Sequence, residues 1–394
     1  MKWQKIGLII ILAVLLVATA ISSIVEAACA EPINEVMSAE EFREATLSYT
    51  SSIPASAYGG EYLDEAGNLV INIKEGSFIP PITGVDAVSR ERIMIQTVKY
   101  SLAELEAMKD ALVPYMLDYD IASLDANEVT TTIDIELWEE RDDIYSLIES
   151  LEVIDMDIVR LTVLENVCIE FTMAEHPPAQ IPEEFLTSSW DALEDASEHN
   201  ESRAMVTIYP GTRIAFRNSS VSYGTAGPKQ ASGSFYSAGH LVTGVSLTPD
   251  VYDHNNSQKV GKVTSRTLGA NGDKCTISIL GGAALPSTNA LPNCNGRYTI
   301  SSGYRVGETV EMWGASSGIQ SGTVQATNQT VTISGTTVSG LVYATYSCKH
   351  GDSGAGIFSA NASTDTSAKC YGIQSCGRFA TGSETAYASY FSPF

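Results

Sequence analysis

Lys349-His350-Gly351-Asp352-Ser353-Gly354-Ala355-Gly356-Ile357-Phe358 sets a serine between glycines and then returns to apolar residues that resume a buried strand. A nucleophilic serine needs its hydroxyl exposed on a tight loop, with backbone N–H groups aimed at the oxyanion that forms beside it. Gly351 and Gly354 permit such a loop, because glycine accepts backbone angles and close approaches that other residues resist. A Gly-Asp-Ser-Gly turn is also common in β proteins. Taken alone, the stretch leaves a catalytic serine and a plain turn equally open.

Two stretches upstream bear on the choice. In Phe235-Tyr236-Ser237-Ala238-Gly239-His240-Leu241-Val242 a histidine follows small residues at the end of an apolar strand, and could act as a general base near neutral pH. In Gly272-Asp273-Lys274-Cys275-Thr276-Ile277-Ser278-Ile279-Leu280 an aspartate opens a strand, and could orient an imidazole from a fixed backbone position. Each residue by itself is more simply a loop histidine or a turn aspartate. Among the five histidines, His176 and His199 lie in an acidic, connector-like region and His254 in a polar run. His350 is too near Ser353 to serve as an independent base. Asp250 and Asp253 compete with Asp273, but they follow His240 closely in a loop.

The surroundings of these stretches are uniform. From residue 204 onward, short β-type segments alternate with turn residues: Thr212–Phe216, Gly233–Tyr236, Val260–Val263, Thr276–Leu280, Thr309–Trp313, Thr323–Ala326, Thr330–Ser334 and Leu341–Tyr346. No amphipathic helix interrupts them. The pattern predicts an all-β barrel or sandwich, with room for two small barrels. The chain before residue 204 differs. Residues 31–203 hold 38 acidic and 9 basic residues, whereas 204–394 hold 8 acidic and 12 basic. Only 6 of the 31 glycines precede residue 204. The net charge of −24 over 394 residues therefore belongs to the first object and not to the second. Such acidity, and the lack of a basic cluster in 204–394, exclude phosphate-neutralising nucleic-acid binding. A hydrophobic content of 44% excludes a disordered chain and allows the two or three domains expected at ~100–200 residues each.

In the acidic part, apolar spacing predicts a helix from Val88 to about Tyr115, ended or kinked at Pro114. Val129–Ile135 reads as a strand, Trp138–Leu151 as a helix and Val159–Phe171 as a strand, together a small α+β domain. Pro-rich residues 176–184 read as a connector and 191–203 as the place for proteolytic nicking. At the front, Lys2 and Lys5 precede the apolar stretch Ile6–Val25 and the small residues Ala28-Cys29-Ala30. A cleaved secretory signal and an uncleaved anchor through residues 6–25 both fit; Ser22, Ser23 and the small-residue site favour cleavage. Cys29 also suggests a lipoprotein site, which Glu26 disfavours. All these readings put the bulk of the chain outside the cytoplasm, where disulfides are permitted. Cys168 lies in the acidic part, while Cys275, Cys294, Cys348, Cys370 and Cys376 lie in the second. Five is odd, and the connectivity stays open. No Cys-x-x-Cys pair exists, and neither a metal site nor a cofactor is expected.

The order His240, Asp273, Ser353, within Ser-Ala-Gly-His and Gly-Asp-Ser-Gly, resembles the chymotrypsin-like serine proteases, and more closely their secreted bacterial streptogrisin and α-lytic branch. Gly307–Gly314 with Ser317–Val324 is similar to that branch's middle segment, Gly372–Gly377 to its substrate-lining strand, and Tyr58–Asn68 to the opening of its pro-regions. The resemblance implies a double β-barrel protease domain over 206–394, with the site between the barrels. Ahead of it, the implied order is a signal at 1–30, an α+β pro-domain at 31–175 and a linker and processing region at 176–205. It implies that Ser353 is the nucleophile, His240 the base and Asp273 its orienting partner, with Gly351 and Ser353 N–H groups as the oxyanion hole. It also implies a specificity pocket lined by Ser347, Cys348, His350, Ser375, Cys376 and Gly377. Ser347 where an acid would be needed disfavours Lys or Arg substrates, and His and Ser groups leave acidic substrates open. Three departures stand out. Leu241 replaces the usual Cys after the histidine, Ala355 replaces a glycine, and no Ile-Val-Gly-Gly-type start is present. Asp352 should therefore find an internal donor rather than a newly freed N-terminus.

The expected protein is thus a secreted, monomeric serine endopeptidase acting on proteins or peptides. Its acidic segment would serve as folding aid and inhibitor, cut away between about Glu198 and Met205. The competing expectation is a protease-like binding protein without catalysis.

Overall fold

The computed structural model describes residues 37–172, 174–175, 206–217, 221–230, 233–242, 249–253, 258–281 and 283–394. The expected signal at 1–30 and the linker at 176–205 lie outside the described residues. No helix among the described residues is long and apolar enough to cross a membrane.

The chain divides into two compact units, Met1–Tyr49 with Pro81–Arg92, and Thr50–Pro80 with Ile93–Phe394. In the first, Ser38 and Glu41 exchange hydrogen bonds at the start of the helix Ala39–Ser51, a capping box that satisfies free N–H groups. Asp86 caps the short helix Ala87–Arg90, and the Arg92 guanidinium lies 5.0 Å from the Phe42 ring centre.

The second unit contains the rest of the acidic segment together with the glycine-rich part. Strands Tyr58–Leu63, Leu69–Lys74 and Ile93–Val98 form a three-stranded sheet. Its hairpin turns at Asp64, whose Oδ1 accepts from Ala66 and Asn68 N–H, with Gly67 at φ 77°. Ile93–Val98 corrects the expected single helix from Val88 to Tyr115. Its β-branched residues pair in parallel with Leu69–Lys74, and the helix begins only at Leu102 behind the Ser101–Glu104 capping box. The helix ends at Leu112, and Pro114 sits in the 3₁₀ turn that follows. The expected strand Val159–Phe171 is likewise two strands, Val159–Val163 and Val167–Phe171, broken at Asn166 with φ 56°.

The described residues of 206–394 are strands and turns, apart from the 3₁₀ turn Gly239–Val242. A seven-stranded sheet runs in the order Ser234–Ser237, Gly272–Ile279, Gln258–Gly269, Asp250–Asp253, Arg213–Arg217, Val221–Thr225, Ala174–Glu175. It packs around Ile214, Phe216, Phe235, Val251, Val260 and Ile277. In a twelve-stranded sheet, Thr309–Gly314, Gly356–Ser359, Ala368–Ala380, Thr385–Pro393, Thr336–Ala344 and Gly318–Ile333 pair in turn, and the last pairs back to the first. This half closes into a six-stranded ring. Register shifts within Gly318–Ile333 and Ala368–Ala380 supply the bends that closure needs.

The acidic segment joins this sheet twice. Ile121–Asn127 pairs with Gly318–Ile333, followed by Thr132–Leu137 and Val159–Val163, over a core of Leu105, Leu112, Leu124, Ile133, Ile135 and Ile148. Val167–Phe171 pairs antiparallel with Cys376–Ala380. Two arginines of the weakly basic part meet glutamates of the acidic one. Arg305 Nε is 2.8 Å from Glu61 Oε1 with both groups buried, and Arg378 forks onto Glu136 while its ring contacts hold Tyr343 and Tyr390.

Among the described residues no disulfide forms: Cys168, Cys275, Cys294, Cys348, Cys370 and Cys376 are free thiols, against the expectation of disulfide bonding. Cys275 is packed within the seven-stranded half, and Cys348 and Cys376 belong to separate clusters. Gln374 Nε2 stands between the last two, 3.4 Å from Cys348 Sγ and 2.9 Å from the Cys376 carbonyl.

Candidate active site

His240 sits in the 3₁₀ turn directly after Ser234–Ser237, and the neighbouring strand Gly272–Ile279 starts beside it. The register Ser237↔Cys275 brings Asp273 under the turn. A Cβ on Gly239 would come within 2.2 Å of the Thr267 carbonyl, so only glycine allows this approach. Asp273 Oδ1 accepts from the His240 N–H at 2.8 Å, and Oδ2 lies 2.6 Å from Nδ1. His240 Nε2 lies 2.8 Å from Ser353 Oγ. All three side chains are buried.

Burial alone would raise the Asp273 carboxyl. The His240 ring, the Ser375 hydroxyl at 2.5 Å and the His240 N–H outweigh it and hold the group below its usual value. An ionised carboxylate only accepts, so Nδ1 carries the hydrogen and Nε2 turns a lone pair to Ser353. The arrangement can move the hydroxyl proton onto the ring and hold the resulting cation.

The loop around Ser353 is locked from both halves. Thr225 N–H donates to the Ser353 carbonyl at 2.7 Å, Thr225 Oγ1 to the Gly351 carbonyl at 2.8 Å, and Gly354 N–H to the Gln374 carbonyl at 2.8 Å. Gly351 and Gly354 have φ of 98° and 90°, as the tight loop requires. Asp352 accepts from Ser316 N–H at 2.8 Å, Ser317 N–H at 3.1 Å, Ser317 Oγ at 2.5 Å and Lys349 N–H at 2.8 Å. These are its internal donors. The sequence called for an internal donor without naming one, because Ser316 and Ser317 lie more than thirty residues from Asp352 and no local pattern joins them.

Gly351 N–H at 2.5 Å and Ser353 N–H at 3.3 Å both donate to one oxygen, the Thr172 carbonyl. Thr172 N–H donates to the Ser375 carbonyl at 3.2 Å, and Thr172 Oγ1 is 3.0 Å from Ser353 Oγ. Phe171 stacks on the His240 ring, centroids 4.2 Å apart at 18°. Phe171 and Thr172 were not singled out by the sequence, where they look like the end of a strand.

The expected pocket residues divide. Main-chain atoms of Ser375, Cys376 and Gly377 face residues 170–172. Cys348 is buried behind Gly377, where burial pushes its thiol up to about 12. Ser347 Oγ turns to Gln320 Oε1 at 2.8 Å. His350 stacks on Phe379 at 5.0 Å with Nε2 3.6 Å from Glu170 Oε2. No cluster of metal-ligating groups is present among the described residues.

No protein-family model and no curated protein matches the chain. Among solved structures, Thermobifida fusca protease A is 26% identical, covering 48% of this chain and 92% of its own, with a TM-score of 0.38. Cellulomonas bogoriensis chymotrypsin is 20% identical over 48% of this chain and 91% of its own, TM-score 0.38. The Nocardiopsis protease NAPase is 23% identical over 48% and 93%, TM-score 0.36.

Proposed function

We propose that this chain is the precursor of a serine endopeptidase. The observation that carries the reading is the hydrogen-bonded series Asp273–His240–Ser353, set beside two N–H groups that converge on one carbonyl oxygen. Ser353 Oγ adds to a peptide carbonyl while its proton passes to His240 Nε2. The C–N bond then breaks and the leaving nitrogen takes that proton. Water attacks the acyl-enzyme by the same route in reverse. Gly351 and Ser353 N–H stabilise the oxyanion, each donor worth ~10²–10³ in rate at comparable sites. Asp273 holds the ring in the tautomer the first step needs.

In this reading the two strand assemblies of 206–394 are the two barrels of a chymotrypsin-like protease. The acidic segment is an intramolecular inhibitor, since Phe171 and Thr172 cover the groups a substrate must reach. It is also a folding aid. Pairings such as Arg378 with Glu136 span 242 residues, and non-local sheets fold slowly without a template. Lys2, Lys5 and the apolar Ile6–Val25 support export to the exterior.

Serine-directed fluorophosphonate labelling of the expressed protein, with Ser353→Ala as control, tests the assignment. Labelling at Ser353 and loss of peptidase activity in the variant are expected. Full activity in Ser353→Ala refutes it.

A further inference from the structure

The strand that supplies Asp273 has a second face. Along Gly272–Ile279, the side chains of Asp273, Cys275 and Ile277 turn inward, so those of Lys274 and Thr276 turn outward. Pairing sets Tyr236 and Ser265 on either side of Thr276, and Thr267 beside Lys274. Phe394 closes one side, its ring centre 4.8 Å from that of Tyr236. With Cys275 these residues line a cleft of about 220 Å³. It lies behind the His240 turn: the Lys274 carbonyl would be 2.8 Å from a Cβ on Gly239, the residue before His240.

Lys274 decides what the cleft can hold. Its side chain is half-buried, and Nζ donates to the Pro393 carbonyl at 2.6 Å. No carboxylate lies within ion-pair reach of it among the described residues. Burial holds the ammonium below its usual value, with no charge opposing the shift. An ammonium has three donors, and the carbonyl takes one. A desolvated cation with spare donors and no counter-charge gains when an anion enters beside it. The hydroxyls of Ser265, Thr267 and Thr276 offer further hydrogen bonds, and the Tyr236 and Phe394 rings give an apolar wall. Cavities of ~150 Å³ admit benzene, so there is room for a ring with one substituent. Arg266, on the neighbouring strand, is turned away to the Val242 carbonyl at 2.8 Å. One cation beside aromatic walls suits a singly charged carboxylate on a ring better than a phosphate, which draws several cations.

We propose that this cleft is a binding site for a small aromatic carboxylate, its charge met by Lys274 and its ring laid against Tyr236 and Phe394. The site opens on the opposite face of the strand from the one that holds Asp273, and it stands whether or not Ser353 is a nucleophile.

Benzoate is the probe. It is titrated into the full Ser353→Ala chain by ligand-observed NMR, so that the readout owes nothing to peptidase activity. Its Kd should be on the order of 1 mM. Benzamide, which keeps the ring and lacks the charge, should bind about tenfold more weakly. Acetate, which keeps the charge and lacks the ring, should also bind about tenfold more weakly. Lys274→Met should bring benzoate down to the level of benzamide. Ser265→Trp, a change at an exposed position, should fill the cleft and abolish binding of both. Equal affinity for benzoate and benzamide overturns the proposal, as does the absence of saturation by about 20 mM benzoate. Benzoate binding that survives both substitutions lies elsewhere and overturns the site. If Lys274→Met fails to fold, full binding in Ser265→Trp overturns it alone. Inorganic phosphate binding more tightly than benzoate overturns the ligand class.

Discussion

The acidic segment sends two strands into the glycine-rich part, and they are held by different means. Ile121–Asn127 is paired on both edges, and six of its seven residues are buried. Its side chains pack into an apolar core and against Val331 and Ile333. Val167–Phe171 buries only Ile169 and is gripped by main-chain hydrogen bonds along one edge of Cys376–Ala380. Side-chain burial specifies one sequence, whereas a main-chain ladder accepts many. The first strand is built as scaffold and the second as a replaceable guest.

The sharpest way to separate chemistry from both strands is Asp273→Asn. It should lower kcat by on the order of 10⁴. Hydrogen exchange should show the same protection at Ile121–Asn127 and at Val167–Phe171 as in the Ser353→Ala chain.

Leu124→Ala should attack the scaffold strand, costing about 2–5 kcal/mol in denaturant unfolding of the Ser353→Ala chain, since Leu124 is fully buried.

A pH series should also strike the scaffold strand selectively. Burial, with the nearby Asp134 charge adding to it, raises Asp125 to about 8; burial raises Glu128 to about 7. The folded chain keeps protons that the unfolded chain releases near its ordinary carboxylate values. The stability these groups add is therefore complete below about pH 4, declines as pH rises from there, and is fully lost once pH passes 7 to 8. The Tm of Ser353→Ala should fall over that range, and Asp125→Asn should flatten the slope. A Tm that rises from pH 5 to 8 contradicts this account.

The smallest effect belongs to the guest. Phe171→Ala removes a ring contact worth about 0.5–1.5 kcal/mol, so the strand should leave the cleft a few-fold more readily while global unfolding barely moves. Competition with a small fluorogenic peptide measures it.

Much of the site could be read from local sequence, because each of its parts carries its own constraint. Gly351 and Gly354 report the loop, Gly239 the close approach of His240, and Asp273 the start of a strand. The β segments of 206–394 fall near their expected positions, with Thr323–Ala326 and Thr330–Ser334 merging into one bent strand, Gly318–Ile333. The acidic segment was less legible. Ile93, Ile95 and Val98 fit a helical count only because the count ran across Ser101, where a new helix is capped. Phe171 and Thr172 have no local mark of function. Their position depends on pairing with Cys376 and Ser375, some 200 residues away, and on the turn at Asn166 that frees the strand to reach them.

The internal donors of Asp352 have a consequence for timing. With Ser316, Ser317 and Lys349 already holding that carboxylate, no new chain end is needed to shape the loop beside Ser353. On the peptidase reading the chain thus folds with its cleft already cocked, and departure of the strand that fills it, Val167–Phe171, is the step left before a substrate can enter.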